Sequence, residues 1–183
     1  MKKVFLAILI MATSCGTGRI VTTETKTNET IVFGKLNVIS ENPLENKKLL
    51  MHFNERLWAK NAVWLDEQGY FYMKMPLGKN FIALLEYRDG NGYYKNIPDN
   101  YLSIDVLSTE NVYCIGDINI TWTPDKSDKR KSGGVAGVVG ESKKEGEKLP
   151  VIVEKSDATI DYFKQKFPNN KKEIVLSLVT IDK

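Results

Sequence analysis

The side chains that most often carry enzyme chemistry are scarce in this chain. It has one histidine, His52, and two cysteines, Cys15 and Cys114. Catalytic triads, two-histidine metal sites and zinc clusters need partners that one histidine without a second free thiol cannot provide. The sequence therefore predicts no catalytic residue, no metal site and no cofactor. His52 is interpreted as a half-exposed strand residue, and Cys114, within an apolar run, as a small buried hydrophobe.

Two polar segments contain residue types that also occur in phosphate or nucleic-acid sites. The glycine-rich run 133–140 is followed by Glu141, where a phosphate-binding loop has Lys followed by Ser or Thr. The basic clusters 129–131 and 143–144 are interleaved with Asp and Glu, which is typical of a solvated segment. No nucleic-acid partner is predicted.

The aromatic side chains are the residues with the strongest indication of binding. Side chains alternate across a strand, so Tyr72 and Phe71 must lie on opposite faces of their sheet. Trp64, Tyr72 and Tyr94 are therefore candidates for contact with a ligand or partner, because exposed rings stack on sugars or anchor proteins. The alternative is that these rings only cover the sheets.

The N-terminus has the layout of an export signal. Lys2 and Lys3 precede the apolar run 4–11, and small residues at 12–14 precede Cys15. The run is shorter than the roughly 20 residues of a membrane-spanning helix. The segment resembles a bacterial lipoprotein signal, which implies cleavage after residue 14 and lipidation of Cys15, with palmitate among the acyl chains. It departs from that family at Ala12, where Leu is usual, and an ordinary signal peptide is the alternative.

The domain boundaries follow from this signal. We predict a signal peptide over 1–14, a flexible tether over 15–30 and one domain over 31–183, with a mobile excursion at 124–148. Without residues 1–14 the chain has 24 Lys and Arg against 23 Asp and Glu, so its charge indicates no acidic partner. Gly16 replaces the Asp that retains some lipoproteins at the inner membrane, so the resemblance implies the outer membrane.

The body of the chain reads as short strands separated by turns. Apolar and aromatic runs end at turn residues such as 66–69, 76–80 and 89–92. Strands are predicted at 31–39, 48–53, 62–65, 70–75, 81–87, 101–107, 112–122, 151–153 and 174–181. Between the last two, Ser156 is a candidate N-cap for a helix closed by Pro168. The pattern predicts a mainly β, antiparallel β-sandwich with one short C-terminal helix and a disordered linker.

Two short motifs make the fold more specific. Residues 65–71 (Leu-Asp-Glu-Gln-Gly-Tyr-Phe) and 75–81 (Met-Pro-Leu-Gly-Lys-Asn-Phe) resemble steps in transthyretin-like and carboxypeptidase-regulatory-like domains. The resemblance covers about residues 31–122 and implies a prealbumin-like sandwich in which Gly69 forms a hairpin turn. The enzymatic branch, hydroxyisourate hydrolase, uses several histidines and ends in Tyr-Arg-Gly-Ser, whereas this chain ends in Thr-Ile-Asp-Lys. That activity is not implied.

The function expected from these patterns is binding rather than catalysis. The first hypothesis is a lipid-anchored, non-enzymatic binding or assembly protein of the bacterial cell envelope, held in the membrane by acylated Cys15. Its partner would be an envelope protein or a glycan. The second hypothesis is a carbohydrate-binding module that uses the aromatic side chains. A hydrolase with a pair of facing carboxylates is the third.

Overall fold

The chain forms two β-sheets packed face to face, seen in a computed structural model that describes residues 25–56, 61–90, 92–129, 139–140 and 144–182. The predicted mainly β sandwich with one short helix near the C-terminus is confirmed. The strands are β1 Glu29–Ile39, β2 Leu49–Phe53, β3 Ala62–Trp64, β4 Tyr70–Pro76, β5 Gly78–Tyr87, β6 Tyr93–Asn96, β7 Leu102–Val106, β8 Asn111–Thr121, β9 Val151–Glu154, β10 Glu173–Leu176 and β11 Thr180–Ile181. The α-helix Asp157–Lys166 lies between β9 and β10, and short 3-10 turns occur at Asn46–Lys48 and Lys126–Asp128.

The first sheet is mixed rather than purely antiparallel. Its strand order is β10-β8-β1-β4, with β9 also paired to β8. β1 runs parallel to β8, and β8 runs parallel to β10. The parallel pair carries a bulge between Phe33 and Lys35, where Gly34 packs against the backbone of Gly116. A Cβ on Gly34 would lie 2.8 Å from the carbonyl oxygen of Gly116, so the close approach of these strands requires glycine.

The second sheet has the order β11-β7-β5-β2-β3, with β6 also paired to β5. Every pairing in it is antiparallel. β5 is its central strand, and all its residues from Ile82 to Tyr87 are buried. Both faces of β5 are therefore covered, which makes this sheet unlike one that exposes a polar outer face.

Two hydrophobic clusters hold the layers together. The larger one fills the space between the sheets and includes Phe71, Met51 and Leu85. The smaller one lies on the outer side of the first sheet, where the helix packs against the residues Ile31, Phe33, Val112 and Cys114. The molecule thus has three layers: helix, first sheet and second sheet.

The helix begins and ends as the sequence predicts. The side chain of Ser156 accepts a hydrogen bond from the backbone N–H of Thr159 at 3.2 Å, and Asp157 lies in the first turn. Phe163, on the buried face, stacks on Phe33 with ring centroids 4.0 Å apart. This aromatic contact fixes the helix on the first sheet.

Three local predictions differ from the structure. Gly69 adopts the expected positive φ of 88°, but the turn 66–69 joins β3 and β4, which belong to different sheets, so it closes no hairpin. The predicted strand 174–181 is divided: β10 pairs with β8, and β11 crosses to pair with β7. β1 begins at Glu29, two residues before the predicted start, so the last two residues of the predicted tether belong to the sheet.

The described ends of the segment 124–148 contact the body of the domain. The indole of Trp122 donates to Asp128 at 2.8 Å, and the ammonium of Lys95 lies 2.8 Å from the same carboxylate. Glu147 also pairs with Lys95, at 3.0 Å, and its backbone N–H donates to Asn96. β6 therefore holds both ends of the segment. Its middle, including most of the glycine-rich run 133–140, lies outside the described residues, as do the signal peptide and Cys15.

Within the described ranges, no helix has the length and apolar character required to cross a bilayer.

Candidate functional site on the outer face of the second sheet

Four side chains lie in one row across the second sheet, on the face turned away from the core. Leu50 pairs with Trp64 of β3 and with Glu86 of β5, and Glu86 pairs with Tyr94 of β6. Directly paired residues point to the same face of a sheet. The structure therefore brings Trp64 and Tyr94, two of the predicted contact residues, to one surface with Glu86 between them.

Glu86 is the centre of this site. It is 2% exposed, and its carboxylate accepts hydrogen bonds from the side chains of His52, Arg88 and Tyr94. Arg88 Nε lies 2.5 Å from Oε1 and Arg88 Nη2 lies 3.3 Å from Oε2, while His52 Nε2 lies 3.2 Å from Oε2. The guanidinium thus engages both oxygens, which is the strongest geometry for a carboxylate pair.

These contacts keep the carboxylate ionised. Burial alone would raise the pKa of Glu86, but hydrogen bonds from His52, Arg88 and Tyr94 outweigh it and lower the pKa to about 2. The same carboxylate raises the pKa of Arg88 through their hydrogen bond. A group with this pKa carries no proton near neutral pH and is a weak base, so Glu86 is suited to holding structure or a ligand rather than to proton transfer.

Trp64 and Tyr94 are already engaged with this cluster. The guanidinium carbon of Arg88 lies over the Trp64 ring, 4.8 Å from its centre, in a cation–π contact. The side chain of Arg88 is 48% exposed, so it forms the solvent edge of the site above the buried carboxylate. A ligand stacking on this face of Trp64 would have to displace or replace Arg88.

His52 departs from the sequence prediction. It is 4% exposed rather than half-exposed, because it sits on the covered outer face of β2 beside Glu86. Its Nε2 faces the Glu86 carboxylate, and its Nδ1 is buried without a hydrogen-bond partner. An unpaired buried nitrogen is energetically costly, which marks this ring as the least satisfied polar group of the cluster.

Tyr72 lies far from this row, in the first sheet. Its ring packs beneath the helix, 5.2 Å from Phe167, 5.9 Å from Phe163 and 6.4 Å from Tyr162. Burial raises the pKa of Tyr72. The structure thus separates Tyr72 from Trp64 and Tyr94, and gives Tyr72 contacts within its own chain.

Sequence reasoning did not identify Glu86 and Arg88. The available signal was a single acid inside the apolar run 81–87, with an Arg two residues later on the same strand face.

Cys114 is buried as expected, and burial raises the pKa of its thiol to about 11. Cys15, the predicted lipidation site, lies outside the described residues.

Two other pairs of neighbouring carboxylates each share a lysine. Glu45 and Asp89 both contact Lys48, at 2.6 and 3.2 Å, and Asp128 and Glu147 both contact Lys95. Within the part of the chain that the structure describes, no three His, Cys, Asp or Glu residues are grouped so as to hold a metal ion.

Comparison with solved structures gives a distant structural neighbour. No protein-family model and no curated protein matches the chain. The crystal structure of a DUF3823 family protein from Parabacteroides merdae ATCC 43184 is similar at 21% sequence identity, with a TM-score of 0.28. The match covers 54% of this chain, and the chain spans about half (48%) of that protein's length.

Proposed function

We propose that this chain is a lipid-anchored, non-enzymatic binding or assembly protein of the bacterial cell envelope, placed in the outer membrane. The observation that carries the binding role is the site around Glu86, in which two half-buried aromatic rings and an exposed guanidinium edge a fixed, ionised carboxylate. Such a surface offers aromatic contact and charged hydrogen bonds to a partner. Its one carboxylate is neutralised by Arg88 instead of facing a second acid.

The anchor is the part of this proposal that the N-terminal sequence supports. Metabolic labelling with a palmitate analogue should label the wild-type protein, and Cys15→Ala should remove the label and release the protein from membranes. A matched Cys114→Ala variant keeps Cys15 and should stay labelled. Labelling that persists in Cys15→Ala would refute the anchor.

The binding role is tested at Arg88. Crosslinking of the acylated protein in its own membranes should give a discrete product that Arg88→Ala reduces and Gln165→Ala, at an exposed position on the helix, does not. An unchanged product pattern in Arg88→Ala would show that this face is not the contact surface.

Carbohydrate binding is the second candidate, because Trp64, Tyr94 and the charged groups between them share one face. Sugars combine an apolar ring face with hydroxyl groups, and aromatic and charged side chains match both. Trp64→Ala and Tyr94→Ala should then abolish binding on a glycan array, whereas Tyr72→Phe, beneath the helix, should not. Glycan binding that survives the first two variants would reject this function.

The hydrolase hypothesis and the transthyretin-like assignment remain predictions. A carboxylate-dependent hydrolase needs two acids facing each other across a cleft. Lys48 bridges Glu45 and Asp89, and Lys95 bridges Asp128 and Glu147, so neither of these two pairs supports a hydrolase. Asp117 and Glu154 are a third acidic pair, matched across β8 and β9. The family resemblance still rests on the motifs 65–71 and 75–81.

A further inference from the structure

The described chain begins at one end of the sandwich, which we call the proximal end. Thr25 is held there by Lys172, whose ammonium donates to the Thr25 hydroxyl at 3.2 Å and to the carbonyl of Thr109 at 2.6 Å. Leu77, in the turn between β4 and β5, donates its backbone N–H to Asn28 at the same end. The opposite, distal end carries the last residue of β1, Ile39.

The tether length places the proximal end near the membrane. Ten positions separate Cys15 from Thr25, so the chain between them can span at most about 35 Å. β1 has 11 residues, and at 3.3 Å per residue its distal end lies about 33 Å farther along the sandwich. A protein anchored at Cys15 therefore meets the bilayer with its proximal end first.

Two leucines are exposed at this end. Leu107 is 81% exposed and Leu77 is 45% exposed. Gly78 pairs with Val106 in the antiparallel β5–β7 ladder, so the next position outward sets Leu77 beside Leu107 at the tip of the sheet. These two apolar side chains lie next to the point where the anchored chain enters the fold. Exposed apolar side chains in such a position can insert into the interfacial region of a lipid bilayer.

The charges around these leucines are mixed, with an excess of lysine. Lysines at this end attract anionic headgroups, and the nearby acids offset part of that attraction. The lysines are Lys26, Lys79, Lys164, Lys166, Lys171 and Lys172, and the acids are Glu29, Asp105, Glu110 and Glu173. Because the excess of lysine is small, the two leucines must supply most of the free energy of membrane binding, and the lysines add to it.

We propose that the proximal end of the sandwich is a membrane-contact surface, in which Leu77 and Leu107 insert into the lipid interface of the membrane that carries the anchor. This inference rests on the proposed lipid anchor. It fixes the orientation of the domain: the distal end, with Ile39, points away from the bilayer. The Glu86 site, eight residues along β5 from Gly78, then lies towards the distal end of the second sheet, away from the bilayer.

Hydrogen exchange of the full acylated protein tests this orientation, with and without vesicles of phosphatidylethanolamine and phosphatidylglycerol. Backbone amides of 77–79 and 106–109 should gain protection on the vesicles, and amides around Ile39 should not. The double variant Leu77→Asp, Leu107→Asp should lose that protection, whereas the matched distal variant Ile39→Asp should retain it. Thermal melting checks that each variant is folded.

Equal protection at both ends, or protection at the distal end alone, would overturn the proposal. Failure of the anchor is read separately, because the intact mass of the mature chain shows whether Cys15 carries acyl groups. If it does not, coupling the Cys15 thiol to a maleimide lipid restores the attachment point, and the buried Cys114 does not compete. The same exchange measurement then still decides the orientation.

Discussion

The two sheets cover their outer faces by opposite means. The outer face of the first sheet is closed by the helix through ring-on-ring packing, with Phe163 fully buried on Phe33. The outer face of the second sheet is closed around the buried carboxylate of Glu86, which pairs with the half-exposed guanidinium of Arg88 and the buried imidazole of His52. One face gains stability from apolar contact, and the other needs hydrogen bonds to offset the burial of charge.

This difference teaches where function can be placed. The stacking of Phe163 on Phe33 between the helix and the first sheet involves only apolar rings, so it needs neither water nor a partner and has a structural role. A carboxylate that is buried with its charge gives little net stability compared with apolar packing, even when it is paired. The proposed binding role would give this carboxylate a function, and the comparison can be tested face by face.

The largest effect is expected on the first face. Phe163→Ala should lower the free energy of unfolding by about 3–5 kcal/mol, because it opens a cavity between the helix and the first sheet. Chemical denaturation followed by circular dichroism measures this. Gln165→Ala, at an exposed position of the same helix, should change it by less than about 0.5 kcal/mol. A loss below about 1 kcal/mol in Phe163→Ala would mean that the helix does not seal the sheet.

On the second face, Glu86→Gln should lower the free energy of unfolding by about 2–3 kcal/mol at pH 7. The substitution removes charge-assisted hydrogen bonds to a buried acceptor and leaves Arg88 without its charged partner. The same denaturation assay applies, with the exposed Glu173→Gln as control. An unfolding free energy that is unchanged or increased would indicate that the ion pair contributes nothing to stability.

Acid should remove the same contribution gradually. The pKa of Glu86 is about 2 in the folded chain against an ordinary 4.5, so its ionised form stabilises the fold above pH 4.5. That stabilisation should decline as the pH falls from 4.5 towards 2, and the difference between wild type and Glu86→Gln should shrink with it. Unfolding curves at several pH values test this; a difference that stays constant would contradict the lowered pKa.

The smallest effect is expected at the solvent edge. Arg88→Lys keeps the positive charge but loses the two-point hydrogen bonding to Glu86 and the stacking on Trp64. It should lower the free energy of unfolding by about 1 kcal/mol. Lys166→Arg, an exchange on the exposed side of the helix, should leave stability unchanged. A loss as large as that of Glu86→Gln would show that the edge is as constrained as the buried centre.

Much of the strand pattern could be predicted, because it depends on local residues. Turn residues such as Gly69 and Pro76 end apolar runs, and Ser156 is recognisable in the sequence as the N-cap of the helix. β6 could not be recognised, because its four residues are all half-buried and show no alternation. The crossing of 174–181 between sheets depends on contacts with distant strands, which local pattern does not encode.

The candidate site could be predicted only in part. The aromatic pattern pointed to Trp64 and Tyr94, but also to Tyr72, which the helix covers. Alternation shows that two residues face opposite ways without showing which face is covered. In β5 both faces are buried, so the carboxylate of Glu86 could not be recognised as a buried, paired group before the neighbouring strands were in place.

The parallel pairing of β1 with β8 also sets the timing of folding. Val32 pairs with Tyr113, about 81 residues later, so at 5–20 residues per second the ribosome needs roughly 4–16 s to supply the partner of β1. Closing so long a loop is also entropically slow, which gives such topologies folding times of milliseconds to seconds after synthesis. During that interval one edge of β1 is unpaired and the first sheet cannot close. The first sheet therefore completes only after β8 has been synthesised, and the β1–β8 pairing is a late step of folding.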